Sequence, residues 1–150
     1  MRLISLITLG LAALALAAGT ASSASTSSGF FKTSNGKIYC GWVTGSQGSV
    51  VCGIKPPGKL KPRPKNNCAK QGVDYVGNRI AFNATGKAKV QACAGDAGPF
   101  SDPKHTKVLA PGKTWRGGGM SCTVTTSTAT CKNKSKHGFT ITTPGPYQIF

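Results

Sequence analysis

The sequence predicts an all-β domain, a small disulfide-stapled sandwich or open barrel of short antiparallel strands with little or no helix. Three observations carry that expectation. Short β-branched and aromatic runs such as "KIYCGWV" and "SVVCGIK" are bounded by Gly, Pro, Asn and Ser. Apolar and polar residues alternate through the middle third, and helical spacing is almost absent. Six cysteines, an even number, stand in a chain of 150 residues.

The N-terminus reads as a processing signal. Met1 and Arg2 precede the apolar run "LISLITLGLAALALAAG", and small polar residues follow it, the arrangement of a secretory signal peptide over residues 1–24 with cleavage after Ala21 or Ala24. The run is Ala-rich and shorter than the roughly 20 residues a bilayer span needs, so no membrane span is expected after cleavage. Residues 25–29 read as a flexible leader and 30–150 as one domain. The expected location is secreted, extracellular.

An exported chain with paired cysteines calls for three disulfides. Cys40 with Cys52 and Cys122 with Cys131 each bracket a turn-rich segment between strand-like runs, which leaves Cys68 with Cys93; other connectivities remain open on sequence alone. No CxxC pair or Cys/His knuckle occurs, so neither a zinc site nor any cofactor is expected.

Taken in order, "KIYCGWV" and "SVVCGIK" form a hairpin around "TGSQG". The loop "KPPGKLKPRPK" follows at residues 55–65, where four prolines exclude helix and central strand. Next comes a three-stranded meander, with a hairpin turn at Gly77-Asn78 after "VDYV" and a second turn at Thr85-Gly86. "AGDAGPFSDPKH" is a loop in which Asp96 and Asp102 suit local Asx hydrogen bonds. The last third holds a second stapled hairpin and two short terminal strands. The two hairpins look alike, each with an aromatic residue near its start and a glycine before its first cysteine, a likeness that either an internal duplication or convergence on a generic stapled hairpin produces. In "RGGGM" the glycines suit a bulge or a close backbone approach.

Charge points to partners. Lys and Arg total 19 against 3 Asp and no Glu, a formal net charge of +16. Such a surface attracts acidic polymers, anionic cell surfaces and, non-specifically, nucleic acid. Candidate polyanion-binding residues are Lys55, Lys59, Lys61, Arg63 and Lys65 in the proline loop and Lys132, Lys134 and Lys136 in "KNKSKH"; "KHTK" at 104–107 is a third basic run. An extended loop would line up Lys59, Lys61, Arg63 and Lys65 on one side, whereas polyproline II would spread them round an axis. Aromatic residues do not interleave with these runs, which argues against a single-strand stacking platform.

Catalytic signals are sparse. Paired-carboxylate chemistry would have to draw on Asp74, Asp96 and Asp102, and no G-x-S-x-G elbow occurs. The leading function is therefore a secreted, highly basic, non-catalytic protein that binds polyanions or the cell envelope. One alternative is a basic ribonuclease or toxin-like hydrolase in which His105 and His137 share one phosphate as base and acid. Another is a secreted inhibitor or protein-binding module. Asn83 and Asn133 head glycosylation sequons.

The segments "FKTSNGKIYCGW", "VVCGI", "ACAGDAG", "KVLAPGKTWRGGGMSCTV", "ATCKN" and "KHGFTIT" together resemble a family of small secreted, mostly actinobacterial proteins of unknown function. The likeness spans residues 30–150 and rests on cysteines and glycines in order. Two positions depart from the family pattern: Lys37 replaces an Asn, and Lys136 replaces a glycine. The resemblance implies secretion, disulfides and a β-rich fold. It supplies no catalytic or binding residue.

Overall fold

Alternation sends Val50, Cys52 and Ile54 of one strand and Met120, Cys122 and Val124 of another into a shared interior, all nearly inaccessible to solvent. The computed structural model describes residues 29–43, 48–65 and 67–150. The signal peptide and all of the leader except Gly29 lie outside the described residues. Eleven strands are described: β1 (Phe31–Lys32), β2 (Ile38–Val43), β3 (Ser49–Ile54), β4 (Asp74–Asn83), β5 (Lys89–Ala94), β6 (Lys107–Val108), β7 (Thr114–Gly117), β8 (Met120–Val124), β9 (Thr128–Asn133), β10 (Gly138–Thr142) and β11 (Tyr147–Ile149). They form a six-stranded sheet of order β5-β4-β3-β2-β1-β6 and a five-stranded sheet of order β11-β10-β9-β8-β7. The protein is an all-β, sandwich-like fold with two short 3-10 turns, at Cys68–Gln71 and Gly98–Phe100.

The two sheets repeat one plan. Five consecutive strands run as an antiparallel meander in each, and the second and third are joined by a disulfide between directly opposed residues, Cys40–Cys52 and Cys122–Cys131, with Cα atoms 4.0 Å apart in both. Registers match across the whole width. Phe31–Cys40–Cys52–Ile80–Val90 form one row, and Trp115–Cys122–Cys131–Phe139–Ile149 form its counterpart. Counterparts meet across the core: Phe31 lies 5.8 Å from Trp115 between ring centroids, and Cys52 Sγ lies 3.7 Å from Cys131 Sγ. Phe82 and Phe139 add an edge-to-face pair at 5.4 Å. The likeness read between the two hairpins thus extends to a whole five-strand unit.

Four cysteine sulfurs therefore sit at the centre of the core. Sγ atoms of Cys40, Cys52 and Cys131 fall within 4.8 Å of one another, a spacing that thiolates could use for a metal. All are oxidised, so none offers a thiolate or a donor hydrogen, and the Cys52–Cys131 approach is van der Waals contact. The third disulfide, Cys68–Cys93, ties the 3-10 turn at Cys68–Gln71 to the β5 edge. Three disulfides fit an extracellular protein. Among the described residues, no helix is long and apolar enough to cross a membrane.

Two local expectations are corrected. Gly77-Asn78 is not a hairpin turn: Asp74–Asn83 is one continuous strand, and its register with β5 shifts between Tyr75 and Arg79. Gly77 has φ +58° and sits under the Tyr75 ring, while Asn78 donates from Nδ2 to Ile54 O at 2.7 Å, so the irregularity is a bulge pinned by a side chain. Asp96 does not cap its own loop. It forms an ion pair with Arg79 at 2.7 Å.

The two core disulfides should matter more than the third. Loop-closure entropy alone ranks Cys68–Cys93 first, because it closes 25 residues against 12 and 9. Cys40 and Cys52 are fully buried, however, so replacing both by Ala also removes packed sulfur from the core centre. The expected cost is about 4 kcal/mol for Cys40→Ala with Cys52→Ala and about 3 kcal/mol for Cys68→Ala with Cys93→Ala, measured by chemical denaturation.

Candidate polyanion-binding surface

The direction of the strands separates the basic residues into two groups. β3 starts opposite Asn83 and ends at Ile54, where the proline loop begins, so residues 55–65 occupy one end of the sandwich. The β9–β10 turn occupies the other, because Asn133 donates from Nδ2 to Asn83 O at 2.9 Å and to Gly86 O at 2.8 Å in the β4–β5 turn. Six residues of strand lie between, about 20 Å. Lys55 to Lys65 and Lys132 to Lys136 therefore form two surfaces, not one.

The proline loop is neither an extended strip nor a free cationic rod. Leu60 is 1% exposed and anchors its middle in the core; Leu60 N donates to Gly77 O and Lys61 N to Gly145 O. Lys61 forms an isolated parallel bridge with Pro146, which ties the loop to the five-stranded sheet's last hairpin. Lys59 and Arg63 flank Tyr75: Lys59 Nζ lies 5.6 Å and Arg63 Cζ 4.8 Å from the ring centroid, and Arg63 Nε donates to Tyr75 Oη at 3.2 Å. Lys59 Nζ also donates to Val76 O at 2.6 Å. Two of the loop's five basic residues thus hold the loop down, and Lys55, Lys61 and Lys65 present exposed ammonium groups.

The opposite end is richer than its sequence run suggests. Gly118 and Gly119, with φ +54° and +78°, make the two-residue β7–β8 turn that brings Arg116 beside the β9–β10 turn. Arg116, Lys132 and Lys134 border a groove of about 400 Å³ floored by those glycines, and Lys87 and Lys89 border a second of about 450 Å³ beside the β4–β5 turn. Arg116, Lys87 and Lys89 lie outside the three basic runs of the sequence and join the surface only through turn packing. Asn133 holds the assembly: 6% exposed, it also accepts at Oδ1 from Ser135 N and His137 N, both at 3.1 Å. Its amide is therefore committed internally, and the Asn133 sequon is closed in the folded chain.

Lys136 is the one described non-glycine residue at positive φ, +63°. This is the position where the resembled family has glycine, and the left-handed backbone gives the reason.

The histidines do not converge. His105 stands before β6 at one edge of the six-stranded sheet, and His137 beside the β4–β5 turn, roughly four strand spacings or about 19 Å away. No single phosphate spans that gap. His105 instead completes a local turn: Asp102 Oδ1 accepts from His105 N at 3.1 Å and pairs with its Nδ1 at 2.8 Å. The His105 backbone bond is the main reason the Asp102 carboxyl is held below its usual range; slight desolvation opposes it and the His105 ring adds to it. Lys104 and Lys107 of the third basic run sit at this β6 edge and line neither basic groove.

Of the three Asp, Asp96 pairs with Arg79 and Asp102 with His105, and no other Lys or Arg among the described residues has a carboxylate partner. A family model described as a family of unknown function (DUF6636) matches residues 6–146. No curated protein and no solved structure matches the chain.

Asn133→Ala should lower stability by about 2 kcal/mol in denaturant melts, since it leaves buried carbonyls and N–H groups unpaired. Lys136→Gly should raise stability by about 1 kcal/mol by removing the left-handed backbone cost.

Proposed function

We propose that this chain, which belongs to that family of unknown function, is a secreted, non-catalytic protein that binds acidic polymers at the cell envelope through the cationic ends of its sandwich. One observation carries the reading: round the turns at both ends, Lys55, Lys61, Lys65, Lys87, Lys89, Arg116, Lys132, Lys134 and Lys136 are exposed and lack carboxylate partners. At the end that holds Arg116, Lys132, Lys134 and Lys136, neither basic groove has an Asp in its lining. With two such surfaces about 20 Å apart, one polymer chain can touch both, and linked contacts raise avidity without a deep site. Such binding is governed by counterion release, so it weakens steeply with salt.

Chromatography on immobilised heparin or an anionic wall-type polymer tests this. Retention should fall steeply from low to moderate salt. Replacing Lys132, Lys134 and Lys136 with Ser should lower the log-affinity against log-salt slope by about 2 while leaving the fold intact. Replacing Lys55, Lys61 and Lys65 should act similarly at no cost in stability, whereas Lys59→Ser with Arg63→Ser should also cost about 1 kcal/mol by freeing Tyr75. Elution of the wild type alongside a protein of neutral charge would sink the proposal.

A further inference from the structure

The outer face of the six-stranded sheet carries a second feature, independent of the charged ends. Arg79 points outward from β4 yet is 3% exposed, because the segment 95–101 folds over it. Phe100 lies on Gly53, where any side chain would clash, and its ring centroid is 5.5 Å from that of Tyr39 and 5.7 Å from Arg79 Cζ. Gly98 lets the segment approach the guanidinium: a Cβ there would stand 2.6 Å from Arg79 Nη1. Nη1 donates to Asp96 Oδ1 at 2.7 Å and Nη2 to Asp96 O at 2.6 Å. The guanidinium charge is thereby matched, but its Nε–H is buried without a partner. Gln91, the register partner of Arg79 on β5, has a buried Oε1 that is also unpartnered.

Both residues line one cleft of about 300 Å³, whose other walls include Phe30, Gly41, Val51, Ala97 and Pro99. A buried donor and a buried acceptor left open each cost on the order of 1–3 kcal/mol, so a group that satisfies both is strongly favoured there. A carboxylate or phosphate would satisfy Arg79 but face Gln91 Oε1 with its own negative oxygens. A plain hydroxyl satisfies both and leaves the apolar walls bare. A secondary amide carrying a methyl group accepts at its carbonyl, donates at its N–H and packs its methyl on the apolar walls. The volume suits one sugar ring or one blocked amino acid, at the small end of ligand sites.

We propose that this cleft binds an acetamido group, with its carbonyl on Arg79 Nε–H and its N–H on Gln91 Oε1, as presented by an N-acetylated sugar or an N-acetylated peptide end. NMR of the isotope-labelled, disulfide-bonded protein tests it by following the Arg79 Nε–H resonance during titration with N-acetylglucosamine, with an N-acetylated amino-acid amide and with glucose. A saturable shift with an acetamido compound and none with glucose is expected. Response to the sugar alone assigns the sugar source, response to the blocked amino acid alone assigns the peptide source, and response to both assigns the acetamido group itself. Gln91→Leu keeps the volume and removes the acceptor, and should weaken binding about tenfold. The proposal fails if tens of millimolar of either acetamido compound leave Arg79 unmoved, meaning a water-filled cleft only. It fails equally if glucose shifts Arg79 as much, or if a natively folded Gln91→Leu binds unchanged. Should Gln91→Leu lose its native spectrum, the wild-type titration decides.

Discussion

The contact between Cys52 Sγ and Cys131 Sγ, 3.7 Å across the centre of the sandwich, is the constraint on which the remaining architecture depends. Each disulfide locks two strands of its own sheet in one register, so neither pair can slip by a residue and turn its core side chains outward. Stacked together, the two bridges set where the sheets meet. The aromatic pairs Phe31–Trp115 and Phe82–Phe139 then fall on either side of the sulfur layer. A chain of this size buries a modest core, and four sulfurs at its middle reduce what side-chain packing alone must supply.

Because the inward rows of the two halves correspond, their outward rows show what the fold leaves free to vary. In the five-stranded sheet one outward row is Thr114–Thr123–Thr130–Thr140–Gln148, with hydroxyl contacts of 2.7 Å between Thr114 and Thr123 and 3.1 Å between Thr130 and Thr140. On this face the threonine hydroxyls pair with one another across the strands. In the six-stranded sheet an outward row is Tyr39–Gly53–Arg79–Gln91, and a folded-over segment covers it. One scaffold thus yields a plain face and a cleft, and the difference lies in two glycines and an Arg rather than in the strands.

The strand-rich class, the two stapled hairpins and the alternation that builds the core were legible because each depends on neighbours in sequence. Residues 80–92 show this best, with Ile80 and Phe82 buried as the period-2 reading requires. What was not legible depends on distant partners. Gly77-Asn78 has the composition of a hairpin turn, and only the Asn78 bond to Ile54 O and the Tyr75 ring make it a bulge. The proline loop reads as solvated along its length, and nothing local marks Leu60 as a core residue or Tyr75 as the ring between Lys59 and Arg63. Arg116, Lys87 and Lys89 join the basic end through the hydrogen bonds of Asn133, a residue whose sequence context suggested only a sequon.

The size of the charge imbalance bears on what the surface is for. Solubility of a small domain is served by a net charge of about 2–8, whereas this chain carries +16. Beyond that range added lysines repel one another in the compact state and favour non-specific binding to anionic polymers. Few local contacts relieve the repulsion here, since Asp96 is taken up by Arg79 and Asp102 by a turn. Lys136 adds a backbone cost to the electrostatic one, holding an ammonium group where glycine would sit without strain. Cations held at a loss in stability, with covalent cross-links in the core to offset it, are what the proposed binding of acidic polymers requires of the fold.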